Sequence, residues 1–110
     1  MVVSMEVLED IFGKSVHLQI LLLYYNDRSF LGNITGLTER VGKSHVTVRG
    51  VVADLIRARI LKGTNIGKSR VITIDEEGPY TKALLEFLDN VKTIKQDTYL
   101  EALIRKRLTK

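Results

Sequence analysis

Hydrophobic residues recur at helical spacing along the first part of the chain. Over residues 5–12 the apolar positions are three or four apart behind a possible N-cap at Ser4, and Gly13 ends this predicted helix. Ser15 can cap a second helix that extends to about Asn26. Because apolar side chains surround the second helix almost completely, we predict that it is the central, buried helix of the fold.

Two further short helices are predicted next, separated by a tight turn. Residues 30–32 are sufficient only for a short strand, and Asn33 is a good N-cap for a helix that Gly42 ends. Ser44 can cap the following helix, which is expected to extend to Arg59. This pair of helices has the layout of a helix-turn-helix.

A basic β-hairpin is predicted after these helices. Segments 60–62 and 71–74 contain strand-forming residues, and residues 63–69 between them are rich in turn formers. From Pro79 onward the pattern is again helical. Two helices at a tight turn and then a hairpin, here residues 61–74, form a winged helix-turn-helix. The expected fold is therefore mainly α with a small β-hairpin wing.

One long helix is expected at the C-terminal end, from about Tyr80 to Arg107. Its apolar stripe is continuous, and at 1.5 Å per residue it would be roughly 40 Å long, more than so small a domain can cover. We therefore predict a winged-helix domain at 1–78 and a homodimerisation helix at 79–110. The expected interface residues are Leu84, Leu88, Val91, Ile94, Tyr99 and Leu103. The alternatives are a helix broken near Asp97 and a monomer whose helix folds back.

The positive charge of the chain is concentrated in two places. The formal net charge is only +4, but seven Lys or Arg residues and a single acid, Asp54, lie between positions 43 and 70. Residues 105–110 contain four more cations. A concentrated positive field is typical of a surface that binds a polyanion, with nucleic acid the first candidate. The alternative is a solvated face with unrelated cations.

Three segments of this region carry a resemblance to known proteins: LTERVGKSHVTVR at 37–49, LIRARIL at 55–61 and GKSRVITIDEEG at 67–78. They resemble, in that order, the helix-turn-helix, the end of the recognition helix and the wing of bacterial and archaeal regulators of the MarR and ArsR type. The resemblance implies a winged-helix fold and binding to double-stranded DNA. These families usually have an apolar residue where Lys43 stands and a helix-ending Gly where Arg59 stands, which leaves open a different exit from the helix.

The second helix of the pair is predicted to have a low face, on which the small residues Gly50 and Ala53 leave the helix backbone accessible. On a helical wheel Val46, Gly50, Ala53 and Arg57 lie opposite the core-facing valines. A Gly inside a helix costs about 1 kcal/mol relative to Ala, so Gly50 needs a reason. We expect that it lets the helix lie deep in the DNA major groove. The alternative is close packing of Gly50 against the preceding helix. The expected DNA-binding residues are Lys43, Ser44, His45, Val46, Thr47, Arg49, Gly50 and Arg57 on or beside helix 44–59, and Lys62, Lys68, Ser69 and Arg70 on the wing.

Residues for metal or catalytic chemistry are few. The sequence has no Cys, and its three Gly-Lys-Ser tripeptides lack the upstream Gly of a phosphate-binding P-loop. His17 is expected in the core or in an interface, His45 is better placed for DNA, and residues 75–77 are expected to form a solvated turn. We therefore expect no enzyme activity and no cofactor. No aromatic residue lies between positions 31 and 79, which disfavours single-stranded nucleic acid as the partner.

Nothing in the sequence predicts membrane insertion or export. The longest nearly apolar stretch, residues 18–25, is far shorter than the ~20 residues of a spanning helix, and residues 1–10 contain three acids. We expect a cytoplasmic, sequence-specific regulator of transcription that binds double-stranded DNA as a homodimer. The alternatives are a winged-helix protein–protein interaction module of a transcription or repair assembly and a non-specific architectural DNA binder. No small-molecule effector is identified by the sequence.

Overall fold

Helices and a β-hairpin follow one another in the order that the sequence pattern predicts. The computed structural model describes the backbone of residues 5–108 and the side chains of residues 6–94. In chain order the elements are α1 (Met5–Phe12), α2 (Val16–Asn26), α3 (Ile34–Val41), α4 (His45–Arg57), β1 (Leu61–Ile66), β2 (Ser69–Ile74) and α5 (Thr81–Leu108). The predicted fold class is therefore confirmed. α4 ends two residues before its predicted end, and α5 is uninterrupted, so the alternative of a break near Asp97 is wrong.

Short polar side chains start three of the helices. Each accepts a hydrogen bond from the backbone N–H group three residues further on, at 3.0 Å for Ser15, 2.8 Å for Asn33 and 3.2 Å for Ser44. These bonds satisfy N–H groups that the first turn of a helix leaves without a partner, and the three predicted N-caps are confirmed. Gly42 ends α3 in the left-handed conformation, with φ +68°. The cap predicted at Ser4 lies outside the described residues.

α2 is the central helix, as predicted, because it contributes to two hydrophobic clusters. The first joins α2 to α3, α4 and the hairpin, through Ile20, Tyr24, Leu37, Val48, Val51, Val52, Leu61, Ile72 and Ile74. The second joins α2 to α1 and α5, through Leu8, Leu18, Leu22, Tyr25 and Leu88. The helix-turn-helix and the start of the long helix are therefore both fixed to the same buried support.

The base of the hairpin is tied to α2 and to the segment before α3. Residues 61–66 and 69–74 pair as antiparallel strands. The predicted short strand before α3 is reduced to a single bridge, in which Gly32 and Ile72 exchange backbone hydrogen bonds of 3.3 and 2.6 Å. The Tyr24 hydroxyl also donates to the Ile72 carbonyl, at 2.7 Å. These bonds fix the position of the wing relative to the helix-turn-helix.

The exit from α4 is packed against the start of α5. Arg59 has φ +60°, the left-handed conformation that usually requires Gly. The helix therefore ends in the same conformation as it would with Gly, and the different exit that the sequence left open does not occur. The Arg59 carbonyl accepts a hydrogen bond of 3.1 Å from the hydroxyl of Thr81, which is 1% exposed. Gly78 lies so close that an added Cβ atom would overlap the carbonyl group of Arg59. The backbone of α4's exit is thus held tightly in place.

Candidate nucleic-acid interface

α4 has one buried face and one exposed face. Val48, Val51 and Val52 expose 0%, 6% and 3% of their surface. On the opposite face Val46 is 79% exposed, and a Cβ atom built on Gly50 would have no atom of the described residues within 4 Å. The alternative that Gly50 packs closely against the preceding helix is therefore wrong.

The N-terminal end of α4 is also exposed. Ser44 caps the helix, and its hydroxyl donates a hydrogen bond of 3.0 Å to the Thr47 hydroxyl. Lys43 and His45, on either side of Ser44, are exposed. Because the N-terminus of a helix favours negative charge, this end of α4 suits a phosphate group.

All the residues predicted to bind DNA are exposed, on the two elements expected to carry them. Within the described part of the chain, several of their cations form no ion pair: Lys43, Arg49, Lys62, Lys68 and Arg70. Their positive charge is therefore not compensated by neighbouring carboxylates. This concentration of free cations is an electrostatic feature that a polyanion would complement.

Asp54 compensates the charge of Arg57, a further cation among the residues predicted to bind DNA. Its Oδ2 atom lies 2.7 Å from Nε2 of His17 on α2, and its Oδ1 atom accepts a hydrogen bond from Nη2 of Arg57. The hydrogen bond with His17, aided by Arg57, lowers the pKa of Asp54 below its ordinary value. His17 is exposed, because the Asp54 carboxylate holds its ring at the surface. Of the two places predicted for His17, the core is therefore wrong, and an interface stays a prediction. No local sequence pattern signals this contact, since the two residues are far apart in the chain.

A groove of about 460 Å³ lies between α4 and the hairpin. Apolar residues of α3, α4 and β2 form part of its lining: Ile34, Val52, Ala53, Ile56 and Ile72. Arg49, Arg57 and Arg70 line it as well. The groove therefore brings together three cations that the sequence predicted separately, on two different elements.

A second, apolar groove of about 360 Å³ lies where α1, α2, α4 and α5 meet. Its lining includes Phe12, Leu18, Leu21, Leu55, Leu84, Phe87 and Leu88. The rings of Phe12 and Phe87 meet edge to face, with centroids 6.1 Å apart, and these side chains are 59% and 39% exposed. This surface is apolar, whereas the surface of α4 and the hairpin is cationic.

The residues predicted for a dimer interface differ in exposure. Ile94 is 63% exposed, whereas Leu84 and Val91 are half-buried. Leu88 is 1% exposed and belongs to the second hydrophobic cluster of its own chain, so, contrary to the prediction, it is not available to another subunit. The side chains predicted at Tyr99 and Leu103 lie outside the described side chains.

The structure gives no support for metal chemistry in the part that it describes. Among these residues no three His, Asp or Glu side chains are grouped so that they could hold a metal ion. Residues 75–77 form a turn, as predicted, in which Asp75 accepts a hydrogen bond of 3.2 Å from the Glu77 N–H group. Among the described helices, none combines the length and the hydropathy needed to span a membrane.

Three solved structures share the fold over most of their length. MepR, a transcription regulator of the Staphylococcus aureus multidrug efflux pump MepA, has a TM-score of 0.59 and 13% identity, over 94% of this chain and 84% of its own. For a mutant of Lactococcus lactis ZitR the TM-score is 0.57 at 15% identity, over 87% of this chain and 70% of ZitR. For the transcriptional regulator Tm0710 from Thermotoga maritima the TM-score is 0.57 at 21% identity, over 96% of this chain and 77% of Tm0710.

Sequence comparison gives no such match. No protein-family model matches the chain, and a search of curated proteins finds no significant match. At the identities of the solved structures, the likeness establishes the three-dimensional arrangement rather than a shared activity. The chain therefore has the winged-helix fold of these regulators, as the resemblance of residues 37–78 implied.

Proposed function

We propose that this protein is a sequence-specific regulator of transcription that binds double-stranded DNA as a homodimer. The recognition helix, α4 with its cap Ser44, enters the major groove, and the wing, residues 61–74, contacts the backbone or the adjacent minor groove. A bound dimer blocks polymerase by occupying the site. MepR and Tm0710, which share the fold, are transcription regulators, and this supports the proposal.

The observation that carries the proposal is the open, low face of α4. Gly50 has free space around the position of a Cβ atom, and Ala53 beside it on this face is exposed. Small residues allow the helix backbone to approach the base edges closely, while Arg49 at the flank can donate hydrogen bonds to guanine or to a phosphate. Val46, which is 79% exposed, suits contact with a thymine methyl group.

The N-terminus of α4 and the wing supply the remaining contacts. Ser44, His45 and Thr47 lie where such helices meet base edges and phosphates. Lys62 and Lys68 are exposed on the wing and form no ion pair within the described residues, which suits them to phosphate groups. Phosphate contacts of this kind fix the position of the protein on DNA but do not determine its sequence preference.

The shape of α5 supports a homodimer. This helix has 28 residues, which corresponds to about 42 Å at 1.5 Å per residue. Ile94 on α5, and Phe12 and Phe87 at the apolar groove, are large hydrophobic side chains that remain exposed in the single chain. Pairing with a second copy would cover them and would place two recognition helices at half-sites about one DNA turn apart, on a near-palindromic operator.

Selection from a random pool of duplexes, followed by gel retardation across a salt series, tests this function. We expect a near-palindromic sequence to be selected and to outcompete random duplex, with affinity that falls steeply as salt rises. A chain that binds no duplex would instead be an interaction module. Equal affinity for selected and random duplexes would identify an architectural DNA binder.

A further inference from the structure

We propose that Gly63 is a positioning residue for a phosphate site between the wing and the recognition helix. Because Gly63 has no side chain, the Arg70 guanidinium can lie across β1 and reach the groove that Arg49 and Arg57 line. Arg49 and Arg70, which form no ion pair within the described residues, together bind one backbone phosphate of the DNA in this groove. This inference rests on the proposed function and assigns a role to a residue that the sequence pattern places only in a turn-rich segment.

The pairing of the strands puts Gly63 and Arg70 on one face of the hairpin. Gly63 is directly opposite Ile72, and Asn65 is opposite Arg70. Arg70 is therefore the diagonal neighbour of Gly63, at a distance that a long side chain can span. Ile72 on the same face is 1% exposed, so this face is the one that packs on the helices at its base. Arg70 extends that face outward beside α4.

The Arg70 side chain occupies the space that a side chain at position 63 would need. A Cβ atom added to Gly63 would lie 2.7 Å from Nη2 and 2.9 Å from Cζ of Arg70, and closer still to Nε. No such atom can coexist with the guanidinium in this position. Any residue other than Gly would push the Arg70 side chain away from β1.

The backbone does not explain this glycine. Gly67 at the tip of the hairpin has φ +61° and needs the freedom of Gly, but Gly63 is not among the positive-φ residues. Gly inside a strand also weakens the strand, and it often marks a place where another group approaches closely. At Gly63 the approaching group is the Arg70 guanidinium.

The charge and the lining of the groove favour a phosphodiester as the occupant. Arg49 and Arg70 form no ion pair within the described residues, whereas Arg57 shares Asp54 with His17. The planar fork of an arginine matches two oxygens of one phosphate group. The apolar residues of the groove exclude water on one side, which strengthens such hydrogen bonds.

A double-mutant cycle with the full-length chain and its selected duplex tests the proposal. Fluorescence anisotropy is measured across a salt series for Gly63→Ala, Arg70→Ala and the double variant, with Thr64→Ala as the control at the next position of β1. Arg70→Ala should weaken binding by about tenfold, as expected for a charge-assisted hydrogen bond, and lower the salt slope by about 0.9. Gly63→Ala should weaken binding similarly without lowering the melting temperature, since the displaced group is the end of a flexible side chain. The double variant should bind like Arg70→Ala alone.

The results that would overturn the proposal differ from those that would overturn the function. If Gly63→Ala binds like the wild type, or if its effect adds fully to that of Arg70→Ala, Gly63 does not act through Arg70, although the chain still binds DNA. A wild-type chain that binds no duplex overturns both proposals. Should Gly63→Ala fail to fold, a nuclear Overhauser effect between the Arg70 Hε proton and the Gly63 Hα protons of the wild type decides: its presence supports the packing and its absence refutes it.

Discussion

Gly50 lies on the outer surface of the winged-helix unit, which is the exposed face of α4. Gly78 lies on its inner surface, where the exit of α4 packs against the start of α5, and the surroundings of the two glycines are opposite. In the part of the chain that the structure describes, a Cβ atom on Gly50 would have no atom within 4 Å, whereas one on Gly78 would overlap the Arg59 carbonyl oxygen and lie 2.7 Å from the Thr81 hydroxyl. Packing therefore requires Gly at position 78 but not at position 50. Gly50 lowers helix stability by about 1 kcal/mol relative to Ala, and no packing contact at this position offsets that cost; the proposed function gives it a role in contact with DNA.

The largest expected loss of stability follows from filling the inner position. Gly78→Ala should lower the free energy of unfolding by about 3 kcal/mol, because the added methyl group meets backbone that cannot move aside. Gly50→Ala, the matched change on the outer surface, should raise it by about 1 kcal/mol. Urea denaturation measures both. Equal stabilities for the two variants would show that the inner and outer surfaces do not differ as described.

A second matched pair compares the two faces of α4. Val48→Ala should lower the free energy of unfolding by about 2 kcal/mol, since two buried methyl groups are lost and a cavity forms. Val46→Ala should change it by less than about 0.5 kcal/mol, because Val46 is exposed, but should weaken binding to a site that contains the contacted thymine. Loss of stability at Val46 together with unchanged DNA affinity would assign this residue to the fold instead.

Arg59 is a residue of the inner surface whose type does not suit its backbone conformation. Its left-handed conformation disfavours any residue other than Gly, and its side chain contributes only weak contacts, at 3.8 Å to Asp75 and 3.5 Å to the Glu77 carbonyl. Arg59→Gly should therefore leave the free energy of unfolding unchanged or raise it by up to about 1 kcal/mol. A clear fall in the melting temperature would mean that these side-chain contacts outweigh the backbone strain.

The smallest expected effect concerns Asp54, at the edge between the two faces of α4. Its pKa is lowered below the ordinary 3.8 by the hydrogen bond with His17 and by Arg57, so the stabilisation is present above about pH 4 and is lost as the pH falls through the lowered pKa. Asp54→Asn should be slightly less stable than the wild type at neutral pH, and the difference should vanish in acid. A difference that persists below the lowered pKa would exclude this ionic origin.

The elements of the fold could be predicted because local physics determines them. The side chains of Ser15, Asn33 and Ser44 bond to backbone three residues away, and the spacing of the buried valines in α4 follows from the helix itself. The exposed positions of α4 could be predicted for the same reason. These features depend on residues that are close together in the chain, so one sequence is enough to predict them.

The missed features depend on distant parts of the chain. The contact of His17 with Asp54 joins α2 to α4, the burial of Leu88 depends on α1 and α2, and the Arg70 side chain crosses from β2 to β1. Periodicity places each of these residues on an element but does not say what packs against it. The departure at Arg59 was visible in the sequence, yet its outcome depends on how tightly Gly78 and Thr81 hold the Arg59 backbone.

The affinity of Gly50→Leu for the selected duplex tests the central claim most directly. Since the position is open and Leu favours a helix more than Gly does, the variant should keep the helical content of the wild type and should melt no lower than the wild type, with Gly50→Ala as the matched control that still binds. The leucine side chain should hold α4 away from the bases and weaken binding by about 100-fold, which corresponds to a loss of roughly 3 kcal/mol. A folded Gly50→Leu variant that binds the duplex as tightly as the wild type would contradict the account.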